Sequence, residues 1–96
     1  MNIDVKALQF TLEEENREYL DRKITRIHNA ENMIVDLMVT FKKEKSYIAD
    51  ATVNFRWGVS IHVTEQDFEL NPAIDKMMDK LQAKINKEKE KVKEKH

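Results

Sequence analysis

Apolar and polar residues alternate in three successive segments of this 96-residue chain. Met33, Val35, Leu37, Val39 and Phe41 alternate with Asp36, Thr40 and Lys42. Ala49, Ala51, Val53 and Phe55 alternate with Asp50, Thr52, Asn54 and Arg56, and Val59, Ile61 and Val63 with Ser60, His62 and Thr64. Period two puts successive side chains on opposite faces of a strand, so each segment predicts a strand with one covered face. Short turns at Glu44-Lys45-Ser46 and Trp57-Gly58 join them into an antiparallel meander. Ile3, Val5 and Ala7 alternate in the same way with Asn2, Asp4 and Lys6 and predict a fourth strand at the N-terminus.

Two other segments carry the helical period. Thr11-Leu12-Glu13-Glu14 has the form of a capping box, in which the Thr hydroxyl and the Glu carboxylate satisfy each other's backbone amides. Leu12, Tyr19, Leu20, Ile24 and Ile27 form the stripe of the first helix, which is expected to end near His28-Asn29, before a turn at Asn29–Asn32. Asn71 suits an N-cap and Pro72 the first helical position of a second helix. Its buried stripe is Ile74, Met77, Met78, Leu81 and Ile85, and its tip frays from Lys87 onward. Phe68 and Leu70 are expected to pack where this helix begins. The order is β-α-β-β-β-α, an α+β fold in which two helices cover one face of a four-stranded sheet. Residues 1–96 suffice for one domain and one core.

Composition changes this picture in one respect. Charged residues make up 36% of the chain yet nearly cancel, leaving a net charge of −1. The cancellation is uneven: residues 1–70 hold nine Lys/Arg against thirteen Asp/Glu, and residues 71–96 hold eight Lys against five acids. On the second helix Lys76, Lys80, Lys84, Lys87 and Lys91 follow steps of four, four, three and four. At about 100° per residue they share an arc of roughly 80°, offset about 115° from the centre of the apolar stripe. Asp75, Asp79 and Glu90 fall on the other flank. Such a row is commonly a solvated face favoured by the helix dipole. A rod with one sign of charge also suits a phosphate backbone. The first helix carries Arg17, Arg22, Lys23 and Arg26. If both helices cover the same side of the sheet, their basic flanks are expected to face each other across a groove.

Candidate chemistry is sparse. The chain has no cysteine, and His28, His62 and His96 stand apart without metal-ligand spacing. Ser60, His62 and Asp50 can be drawn as a triad, but the sequence supplies no nucleophile elbow. The one glycine, Gly58, lies in a hairpin and cannot make a phosphate-binding loop. No enzyme activity, metal or cofactor is expected. Trp57 can either stack on a base or protein at the hairpin tip or close the end of the core, and the odd-numbered apolar pattern favours the core. With neither a leader-like N-terminus nor an apolar run of about eighteen residues, a soluble cytoplasmic protein is expected.

Several pieces of the chain together resemble the ribosome hibernation-promoting factor family, also described as ribosome-associated inhibitors or sigma-54 modulation proteins. They are Asp50-Ala51-Thr52, Ile61-His62, Ala73-Ile74-Asp75 with Asp79-Lys80-Leu81, the Lys87-x-Lys89-x-Lys91 ending, and Arg17-Glu18-Tyr19 with Lys23 and Arg26. The resemblance implies a fold like a double-stranded-RNA-binding domain. It also implies binding to the small ribosomal subunit in the mRNA and tRNA channel, which blocks initiation in starved or stationary cells. It assigns contacts with ribosomal RNA to Lys23, Arg26, Lys80 and Lys87. Helical geometry adds Lys76, Lys84 and Lys91, with Arg22 and Lys89 as secondary candidates. Asn71 replaces a usual aromatic residue, Ala83 replaces an arginine, and the hairpin around Trp57 is one residue longer. The ending resembles the short form, whose relatives help pair ribosomes together with a separate modulation factor. The competing reading is a protein-interaction module that uses the outer sheet face or the second helix.

Overall fold

The computed structural model describes residues 1–94. Its elements are β1 (Asn2–Leu8), α1 (Glu14–Ile24), a 3-10 helix (Thr25–Met33), β2 (Ile34–Lys43), β3 (Tyr47–Phe55), β4 (Ser60–Asp67) and α2 (Leu70–Glu94). The strands form one sheet in the order β1-β2-β3-β4. β1 is parallel to β2, a pairing that needs a crossover, and α1 with the 3-10 helix supplies it. The other two pairs are antiparallel, as the meander predicts.

Both helices cover the face that carries Leu37, Val39 and Phe41 of β2, Ala49, Ala51, Val53 and Phe55 of β3, and Val63 of β4. α2 lies over β3 and β4 and buries Ala73, Ile74, Met77, Met78, Leu81 and Ile85. Leu20 and Ile24 of α1 complete the core beside it. Burying a side chain of this size contributes about 1.5–3 kcal/mol, so the α2 stripe dominates the attachment of that helix.

The crossover departs from the sequence expectation. The capping box does not form: Glu13, in extended conformation, precedes α1 and makes no side-chain cap. Leu12 instead packs partly buried against the core. After Ile24 the chain tightens into a 3-10 helix where an α-helical end and a turn are expected. Ile24, Ile27, Ala30 and Met33 are spaced by three, and three residues per turn puts all four on one face. The first three are fully buried and Met33 partly so.

A second departure follows where β2 begins. The register slips between Ile34 and Asp36, a bulge that moves one residue across the sheet. Ile34 is 1% exposed, and Val35, expected inside, is 44% exposed. Ile3 of the edge strand β1 is also left exposed on the face shared with the core.

The start of α2 differs by two residues. The Ala73 amide donates to the Glu69 carbonyl, so the helix begins at Leu70 and Pro72 takes its third position. A proline is accommodated there because that amide has no partner within the helix. Asn71 is not the cap; its Oδ1 accepts from Asn16 Nδ2 at 3.1 Å. Asp67 accepts the Glu69 amide at 3.0 Å and orders the turn. Leu70 is buried as expected, but Phe68 is 80% exposed.

Two outcomes follow. By chemical denaturation, Ile34→Ala should destabilise the fold by about 2–5 kcal/mol. Val35→Ala should stay within about 0.5 kcal/mol, where simple alternation requires a comparable loss. The Asp67 carboxyl is held below its ordinary 3.8, first by the Glu69 amide and then by Lys76. Its ionised form therefore stabilises the fold above that value, and the contribution is lost as pH falls through the lower folded value. The gap in melting temperature between the parent and Asp67→Asn should narrow from pH 7 to pH 3.

Candidate nucleic-acid interface

The buried stripe of α2 fixes the rotation of the helix and so the direction of each charged flank. The lysine flank lies along β4, the outer strand of the sheet. Lys76 Nζ donates to the Gln66 carbonyl at 3.3 Å and pairs with Asp67 at 3.0 Å. Lys80 pairs with Glu65, and Lys84 Nζ donates to the His62 carbonyl at 3.0 Å. Successive lysines thus meet β4 in reverse order, because α2 runs antiparallel to it. Lys87 and Lys91 continue past the start of the strand toward the β3–β4 hairpin. There Ile61, Lys84, Lys87, Glu88 and Lys91 line a shallow groove of about 230 Å³.

Charge along this row is graded. Lys76 and Lys80 have carboxylate partners, while Lys91 is 4.0 Å from Glu88. Among the described residues Lys84 and Lys87 form no ion pair. Unneutralised positive charge therefore concentrates at the hairpin end. The pairs at the other end join exposed lysines to carboxylates that are only 26% (Asp67) and 17% (Glu65) exposed.

The two-sided basic groove is not present. Lys23 of α1 pairs with Asp75 at 3.3 Å, and Arg26 with Asp79 at 3.1 Å. The acidic flank of α2 is the one that meets α1, so Asp75 and Asp79 separate the α1 cations from the lysine row. Tyr19 joins this seam by donating to Asp75 at 2.6 Å, a bond that raises the phenol pKa above its ordinary 10.0. Lys23 and Arg22 both sit over the Tyr19 ring. The α1 cations therefore form a second, flanking stripe. Lys89 falls outside the row as well, because two residues from Lys87 is roughly 200° round the helix.

Trp57 occupies the hairpin after β3, where Gly58 takes the left-handed conformation that glycine accommodates (φ 85°). Its ring stacks on Phe55 with centroids 5.1 Å apart, and its Nε1 donates to Glu88 at 3.0 Å. The expectation of a core residue is half met: the ring closes the end of the core yet stays 41% exposed. Glu88, not singled out from the sequence, is the one buried charged side chain among the described residues. Its spacing of three from Ile85 and seven from Leu81 places it on the apolar stripe, which is the signal that could have found it.

On the open face of the sheet, His62 contacts Asp50 at 2.6 Å through Nε2 and Thr52 at 2.9 Å through Nδ1. Thr64 donates to Asp50 at 3.0 Å. Ser60 donates to Asn54 at 2.6 Å, so it does not join His62 in the arrangement a hydrolytic triad needs. Among the described residues no group of three His, Cys, Asp or Glu side chains is arranged to hold a metal ion. No helix there is long and apolar enough to cross a membrane.

Comparison with known proteins agrees with this architecture. The ribosome hibernation promoting factor of Salmonella typhimurium is 27% identical over 95 residues, covering 98% of this chain and 99% of the relative. The factor of the same description from Escherichia coli K12 gives the same identity and coverage. Among solved structures, a ribosomal subunit interface protein from Coxiella burnetii superposes with a TM-score of 0.85 at 24% identity. That match covers 93% of this chain and 98% of the other. The N-terminal domain of Thermus thermophilus Protein Y gives 0.79 at 23% identity, covering 91% and 98%. Residues 3–93 match the profile of the family described as sigma 54 modulation protein / S30EA ribosomal protein, and the chain belongs to that family.

Proposed function

We propose that this protein binds the ribosome and holds it inactive, as the description of its relatives as ribosome hibernation promoting factors suggests. The observation that carries the reading is the lysine row of α2, a rigid cationic edge in a chain that aligns with those relatives along nearly its whole length. In this reading the protein occupies the mRNA and tRNA channel of the small subunit in the cytoplasm of starved or stationary cells. Inhibition is steric: the body of the domain fills space that mRNA and tRNA would take.

The chemistry of attachment is counterion release. Lys84, Lys87 and Lys91 meet phosphates first, and Lys76 and Lys80 exchange Asp67 and Glu65 for phosphate as the edge of α2 closes on RNA. Lys23, Arg26 and Arg22 add a weaker second stripe, since Asp75 and Asp79 already neutralise two of those charges. Contacts of this kind follow backbone shape more than base sequence. Association with a separate modulation factor, and pairing of ribosomes, belong to the same proposal.

With three to five phosphate contacts, log affinity for small subunits should fall against log salt with a slope of roughly −2 to −4.5. Lys84→Glu combined with Lys87→Glu should abolish co-sedimentation with small subunits while the free protein stays folded, its melting temperature lowered only by loss of the Lys84 bond to the His62 carbonyl. Among the described residues neither position has an ion pair to lose, and Lys87→Glu alone, which breaks no hydrogen bond of the fold, should weaken co-sedimentation in the same direction with the melting temperature held. Unchanged co-sedimentation would overturn the lysine-row reading and favour a protein-interaction module that docks through another face.

A further inference from the structure

We infer that Trp57 is a stacking platform for an unpaired RNA base at the hairpin end of the lysine row. Two contacts fix the orientation of the indole. Phe55 covers one face at an interplanar angle of 17°, and Glu88 takes the ring N–H. The partner that holds the ring is itself locked, since Glu88 is 8% exposed and projects from the apolar stripe of α2. The ring remains 41% exposed, and the Phe55 stack occupies only one of its two faces.

The surroundings select the ligand. Beside the Glu88 anchor lies the groove formed by Ile61, Lys84, Lys87 and Lys91. It combines an apolar floor with three ammonium groups. A flat hydrophobic face next to clustered cations matches the two halves of a nucleotide, a base and its phosphate. Inside a duplex every base is already stacked, so the partner is a nucleotide splayed from a loop, bulge or end. The Glu88 carboxylate does not oppose the anion strongly, because one oxygen is bonded to Trp57 and the other faces Lys91. Trp57 thereby gives a backbone-reading surface one point of contact that depends on RNA secondary structure.

This inference rests on the ribosome-binding reading, and the test separates the two. Affinity for purified small ribosomal subunits is measured for the parent protein, Trp57→Phe and Trp57→Leu, with the melting temperature of each free protein. Phe and Leu both lose the N–H to Glu88 and both keep apolar bulk against Phe55, but only Phe keeps a π face. Trp57→Leu should bind about tenfold more weakly than Trp57→Phe. Equal affinities for the two variants, with the parent still binding, would overturn the platform and leave the proposed function standing. If the parent does not bind small subunits at all, both fall. A variant with p-benzoylphenylalanine at position 57, irradiated in the complex, provides a second readout. Crosslinks to an unpaired ribosomal RNA nucleotide are expected, and crosslinks only to a ribosomal protein would overturn the assignment.

Discussion

The rotation of α2 about its own axis is the constraint on which the surface of this protein depends. Ala73, Ile74, Met77, Met78, Leu81 and Ile85 fill the space above β3 and β4, and a helix anchored by six buried side chains cannot turn without opening the core. Once that stripe is placed, each flank has a fixed destination. Asp75 and Asp79 meet the cations of α1, and the lysines meet the edge of β4. The division of charge into stripes is thus a consequence of packing, and no surface interaction is strong enough to set it alone.

The same lysines serve the isolated fold. An edge strand presents unpaired backbone groups, and natural sheets shield such edges with charge or cover. Lys76 and Lys84 donate to the Gln66 and His62 carbonyls, which both neutralises that edge and holds the ammonium groups in a line. Structural and functional readings of the row therefore coincide. A lysine resting on a carbonyl is positioned without being neutralised, and one resting on a carboxylate has its charge partly offset. Unpaired positive charge consequently rises from Lys76 toward Lys87, and the proposed phosphate contacts are strongest at the hairpin end of α2.

Most of the architecture was legible in the sequence because period two and period 3.6 are imposed by burial on one face. The three meander strands, β1 and the buried stripe of α2 are all present in the predicted order, although β2 opens with a bulge and α2 begins at Leu70 and continues to Glu94, past the expected fraying from Lys87. The misreadings share a cause: local chemistry was overruled by tertiary packing. Thr11 has the residues of a capping box, but Leu12 is drawn into the core and the chain enters α1 extended. Ile24, Ile27, Ala30 and Met33 carry a spacing of three, a 3-10 signal hidden inside a helical stripe. The bulge at Ile34 has no local signature, since Ile34 and Val35 are equally apolar. For the candidate interface, the arc of lysines followed from helical geometry alone, but the partner of each flank did not. Which side of α2 faces α1 depends on the handedness of the crossover and the order of the strands, and a one-dimensional pattern does not contain that information.

The central claim is that the lysine edge of α2 is the surface buried on the ribosome. Lysine acetylation read by mass spectrometry, on the free protein and on its complex with small ribosomal subunits, tests this most directly. The account expects Lys84, Lys87 and Lys91 to be strongly protected in the complex, Lys76 and Lys80 to follow, and Lys6, Lys42 and Lys45 to stay reactive. Protection of Lys6, Lys42 and Lys45 with continued reactivity along α2 would contradict it.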